Sequence, residues 1–126
     1  MNKKVLQNYE QLAQQTGLKF DVKSGVLYGQ RSDYGVIVYA ADSRYPYFLT
    51  VAVSAKRSGG AISKQESKIF VKEHKPVRGL NQTGYLITMT IDNTVKITKL
   101  AEKLNEGLNA LVSFLRTNGF QNCCQT

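Results

Sequence analysis

The chain has 126 residues, of which 42% are apolar and 21% charged, and a formal net charge of +8. That size and composition fit one packed core, and they exclude two ordinary domains, a disordered chain and a disulfide-stapled miniprotein. The longest unbroken apolar runs, such as Val36 to Ala41, fall far short of the roughly 20 residues that a helix needs to cross a bilayer.

At the start, polar Gln7, Asn8, Glu10 and Gln11 interrupt the apolar stretch that a secretory signal would need after Met1-Asn2-Lys3-Lys4. Val5, Leu6, Tyr9, Leu12 and Ala13 instead recur on one helical face, and Gly17 follows where a helix ends. A first helix is predicted from about Lys3 to Thr16. Leu18, Phe20 and Val22 then alternate with polar residues, Lys23-Ser24-Gly25 supplies a turn, and Val26-Leu27-Tyr28 resumes extended structure, so a hairpin is expected. Arg31 to Gly35 reads as a turn, Val36 to Ala41 as a strand, and Asp42 to Pro46 as a third turn. From Tyr47 to Ala55 the chain alternates, and the face of Tyr47, Leu49, Val51 and Val53 is the better candidate for the core.

Ser58-Gly59-Gly60 is the most flexible joint by composition, and the Ser63-Lys64-Gln65-Glu66 that follows has the spacing of a capping box. A second helix from about Lys64 to His74 fits, stopped by Pro76, although Glu66 and Glu73 project close to the face of Ile69 and Phe70. Val77 to Leu80 and Tyr85 to Ile91 look extended, with Asn81 to Gly84 as a loop between them. In the last segment Ile97, Leu100, Ala101, Leu104, Leu108, Leu111, Val112 and Leu115 share one arc of a helix that Asn118-Gly119 closes.

The expected class is therefore α+β. An antiparallel sheet of about four to five strands is combined with a first helix, a short middle helix and a long last helix, in one domain over residues 1–120. Residues 121–126 read as a polar tail. This order, with the stretch Leu18-Lys-Phe-Asp-Val-Lys-Ser-Gly-Val-Leu-Tyr28 after the first helix, resembles domains built like type III secretion chaperones. The resemblance implies an α+β fold that dimerises and holds a protein partner, while the basic charge departs from the acidic character of that family.

No catalytic constellation or cofactor motif is visible. The single histidine, His74, falls at the charged end of the second helix, where a solvated terminal residue is the ordinary role. Asp21, Asp33, Asp42 and Asp92 lie in or near turns, where a short carboxylate accepts backbone amides. Ser58-Gly59-Gly60 lacks the spacing and the lysine of a nucleotide loop. The two cysteines are the adjacent pair Cys123-Cys124, which provides no disulfide framework and favours a reducing, cytoplasmic setting. The pair reads as free thiols on the tail. If the chain continued with a further cysteine, Cys123 and Cys124 would begin a zinc hook.

Charge is the most unusual feature. Between Lys56 and Arg78 the chain carries Lys56, Arg57, Lys64, Lys68, Lys72, Lys75 and Arg78 against only Glu66 and Glu73. On a helix, Lys64, Lys68, Lys72 and Lys75 would form one stripe, a surface suited to nucleic acid, an anionic membrane face or an acidic protein, or else simply a solvated face. Tyr28, Tyr39, Tyr47 and Tyr85 fall in strands, where packing explains them. The expected function is a non-enzymatic interaction module, adaptor or chaperone-like, forming the first part of a larger bacterial-type protein and binding a protein partner through its sheet or its basic helix, with homodimerisation possible. Nucleic-acid binding by the lysine stripe is the alternative.

Overall fold

A computed structural model describes residues 3–40, 48–92 and 97–123. Three helices and seven strands follow in chain order: α1 (Lys3–Thr16), β1 (Lys19–Asp21), β2 (Val26–Arg31), β3 (Tyr34–Ala40), β4 (Phe48–Lys56), α2 (Lys64–Glu73), β5 (Val77–Thr83), β6 (Leu86–Asp92), α3 (Ile97–Thr117) and β7 (Gln121–Asn122). The class and the order are those expected. The turn predicted at Asp42 to Pro46 lies outside the described residues.

α1 and α3 end by the same device. Gly17 and Gly119 adopt positive φ (72° and 79°), and the next amide turns back to the helix, Leu18 N–H onto the Ala13 carbonyl (3.0 Å) and Phe120 N–H onto that of Leu115 (2.9 Å). The capping box of α2 forms as its spacing predicts, with Ser63 Oγ accepting from the Glu66 amide and the Glu66 carboxylate accepting from that of Ser63. α2 stops at Glu73, and His74 is already extended, so Lys75 lies beyond the helix and outside the regular lysine spacing.

The sheet is antiparallel, in the order β1-β2-β3-β4-β6-β5. It has more strands than expected because each of the six extended segments read from Leu18 to Ile91 forms a strand of its own, β2 and β3 running almost to the Ser32-Asp33 turn between them, and because the chain after α3 adds a seventh. β3 stays beside β4 only from Ala40↔Leu49 to Ile37↔Ala52. β7 then takes over that edge, opposite Ala55 and Lys56. The tail reading is thus corrected as far as Cys123, because pairing with β4 satisfies backbone groups that a loose tail would leave to water. The Cys123 amide donates to the Ser54 carbonyl (3.0 Å), and the Tyr34 hydroxyl to that of Phe120 (2.7 Å). The strand reading of Val22 is also corrected. β1 ends at Asp21, whose carboxylate accepts from the Lys23 amide and the Ser24 hydroxyl, and Val22 stands exposed in that turn.

The helices pack on the sheet face that presents Leu27, Val36, Val38, Leu49, Val51, Val53, Leu80, Ile87, Met89 and Ile91, all buried. Against them α3 buries Leu100, Ala101, Leu104, Leu108, Leu111 and Leu115. Gly107 sets how close it comes, since a Cβ there would stand 2.8 Å from Ile91 Cδ1 and 3.2 Å from Met89 Cε. α2 lies over β5, with Phe70 edge-on to Phe114 of α3 (5.3 Å between centroids), and its Ser67 hydroxyl donates to the Leu80 carbonyl of that edge strand (2.6 Å). Leu104 and Leu111 have no solvent exposure. Leu104→Ala or Leu111→Ala is accordingly expected to lower the unfolding free energy by about 2 to 5 kcal/mol in a denaturant titration.

Candidate functional site

The basic residues of the 56–78 segment do not form one site. Lys64, Lys68 and Lys72 are exposed at successive turns of α2, and Lys75 and Arg78 are exposed beyond it. Lys56, at the end of β4, stands 5.8 Å from the centre of the Tyr85 ring.

Arg57 has a different role. Its guanidinium forms a two-pronged pair with Glu66 (2.7 and 2.9 Å), donates to the carbonyls of Gly60 and Ala61 (2.8 and 3.0 Å), and lies over the Phe120 ring at 4.6 Å. The joint at Ser58-Gly59-Gly60 is thereby pinned, and Arg57 is a clamp between β4 and the start of α2. The guanidinium and the capping amide hold the Glu66 carboxyl down to about 2.

His74 is half-buried, with its ring against Phe70 at 4.7 Å. Among the described residues, no three His, Cys, Asp or Glu side chains gather as a metal site requires, and no helix is long and apolar enough to cross a membrane. Cys123 is a half-buried free thiol.

The feature that sequence reasoning missed is the other face of the sheet. All three helices lie on one side, so the side chains that alternate with the core point away from them. The register aligns Lys19, Tyr28, Ile37, Ala52, Thr88 and Asn81 in one row across six strands. Tyr39, Thr50 and Thr90 lie to one side of that row, and Ser54 and Leu86 to the other. Tyr28, Ile37 and Leu86 are 43%, 47% and 44% exposed, and Tyr39 is exposed as well.

A depression of about 590 Å³ opens here, lined by Tyr28, Gln30, Gly35, Ile37, Ser54 and Leu86 among others. Gly35 deepens it, because a Cβ at that position would meet nothing within 4 Å. Among the described residues, no charged side chain lines the depression. The charges in register with it are Lys19 and Asp21 on β1, opposite Tyr28 and Val26, and Lys56 at the end of β4.

No protein-family model matches the chain, and no curated protein or solved structure matches it either.

The Arg57–Glu66 pair yields a pH test. A carboxyl lowered in the folded state stabilises fully above its unfolded value, and that contribution fades as pH falls towards the folded one. At pH 7, Glu66→Gln is expected to cost about 1 kcal/mol through the loss of the charged pair with Arg57, since a Gln oxygen can still accept from the Ser63 amide and keep the capping box. The gap in Tm between wild type and variant should begin to narrow below about pH 4.5 and close near pH 2.

Proposed function

We propose that this domain is a non-enzymatic interaction module that docks a protein partner on the open face of its sheet. The observation that carries this reading is the group of exposed Tyr28, Ile37 and Leu86 around the hollow at Gly35. Side chains of that size on one continuous face mark interaction sites more often than scattered apolar residues do. Their rigid rings and branched chains offer contact area at little cost in side-chain entropy.

The proposed occupant is an apolar polypeptide segment flanked by acidic residues. Among the described residues the floor of the hollow carries no charge; beyond it lie Lys19 and Lys56, with Asp21 engaged by the Lys23 amide and the Ser24 hydroxyl of its own turn, and the chain as a whole carries +8. A partner with that pattern would bury its apolar side chains in the hollow and set its carboxylates against the rim, and the field of the basic domain would speed its approach. This role is the one that the resemblance to type III secretion chaperones implies, and a reducing cytoplasmic setting would suit the free thiol of Cys123.

A selection from a displayed peptide library is expected to enrich apolar segments bordered by Asp or Glu. Ile37→Lys and Leu86→Lys should each abolish binding of the enriched peptides without changing the fold, while Lys64→Glu with Lys68→Glu leaves it nearly unchanged. Enrichment without that acidic border, or binding indifferent to Ile37 and Leu86, would refute the proposal.

A second reading rests on Lys64, Lys68 and Lys72, exposed on successive turns of one helix. If they cover phosphates, affinity for mixed-sequence DNA or RNA should fall steeply with salt, and Lys64→Glu with Lys68→Glu should nearly abolish it. No binding at about 50 mM salt would exclude this role.

A further inference from the structure

We infer that the cleft between the β2–β3 turn and the last turns of α3 is a binding site for a phosphate monoester group. It lies on the helical side of the molecule, away from the open sheet face, and does not depend on the docking role. The cleft holds about 390 Å³ and is lined by Arg31, Ser32, Asn109, Ser113, Arg116 and Thr117 together with Val112. That is room for a phosphate and for part of the group that bears it.

Two arginines from separate parts of the chain, Arg31 and Arg116, line this cleft. Arg31 is held in place by neutral acceptors, donating from Nη2 to the Thr16 carbonyl and to Asn105 Oδ1 (2.6 Å) and from Nη1 to Asn109 Oδ1 (3.0 Å). Of the five N–H groups of a guanidinium, these bonds leave that on Nε and one on Nη1. Arg116 donates from Nη1 to the Ser32 hydroxyl (3.2 Å) and keeps the remainder of its donors.

Neither arginine forms an ion pair with a carboxylate among the described residues. Asp33, next in the turn, is exposed and does not line the cleft. Partial burial without an opposite charge lowers the pKa of Arg31, so the charge is held there at a cost that an anion would relieve.

The ends of α1 and α3 offset part of this charge, since each helix C-terminus carries roughly half a negative charge. About one positive charge remains from the two guanidiniums. The hydroxyls of Ser32, Ser113 and Thr117 add donors from other directions. Donor-bearing side chains that line one cleft from a turn and from successive turns of a helix suit the tetrahedral oxygens of phosphate, whereas a planar carboxylate is satisfied by one guanidinium alone. Ser32 sits at φ 56°, the one described non-glycine residue with positive φ, and this backbone places its hydroxyl against Arg116.

The test is an NMR titration of the full chain with inorganic phosphate near pH 7.5, at constant ionic strength against chloride. Amide shifts that saturate and concentrate at Arg31, Ser32, Ser113, Arg116 and Thr117 are expected. Arg116→Gln, a change of an exposed side chain, should weaken the affinity about tenfold while the rest of the spectrum stays that of the folded protein, and Ser113→Ala should weaken it less. Methyl phosphate should bind as phosphate does, and dimethyl phosphate more weakly. The inference fails if the shifts do not saturate, if Lys64, Lys68 and Lys72 respond equally, if Arg116→Gln changes nothing, or if the diester binds as tightly as the monoester.

Discussion

A one-sided sheet is the constraint on which the rest of this structure depends. A single long helix, α3, supplies most of the leucines that cover the sheet, and Gly107 lets its backbone come down onto Met89 and Ile91. α1 and α2 complete the same layer, α1 beside α3 and α2 over the β5 edge. With the helices committed to one face, nothing among the described residues covers the opposite face, and the side chains exposed there meet either water or another molecule. The open face is thus a consequence of how the core is built.

The distribution of charge follows the same division. Water accepts the lysines of α2 readily, and Arg57 is held by Glu66 as part of the frame. The middle of the open face, by contrast, has tyrosine, isoleucine, leucine, alanine, serine and threonine where an ordinary solvated sheet would carry lysine and glutamate. Threonine and tyrosine keep such a face wettable, because their hydroxyls satisfy water while their carbon atoms remain available for contact. The uncharged hollow and the two-arginine cleft lie on opposite layers, so the two proposed sites call for chemically different ligands.

Much of this architecture was legible in the sequence because local rules and global packing agree. The Ser63–Glu66 capping box, Gly17 after α1, the leucine spacing of α3 and the alternation of Leu49, Val51 and Val53 each specify one local geometry, and the fold uses each of them. What remained hidden depends on contacts remote in sequence. Arg57 counts as one more cation until Glu66 and Phe120 are brought to it. Arg31 gives no sign that it will reach the end of α1 and two asparagines of α3. The open face did leave a trace, in Val36-Ile37-Val38-Tyr39-Ala40. An uninterrupted apolar strand has large side chains on both faces, which in a sheet with helices on one side means an apolar surface on the other. β7 left no trace, since Gln121 and Asn122 have little strand propensity and pair only because Phe120 is anchored beside them.

The splayed edge of β4 has a kinetic meaning. On the side of β3, its Ala55–Lys56 end stays without a neighbour until Gln121 and Asn122 arrive, after the other described elements have been made. Closing that edge spans more than half the chain, and such distant pairings are the slow steps of folding because a long loop must be ordered before any contact rewards it. Until then the growing protein presents a short open strand to its neighbours, the kind of template on which chains join wrongly. Lys56, the residue at that edge, carries the charge that keeps a second strand away while the correct one is still to come.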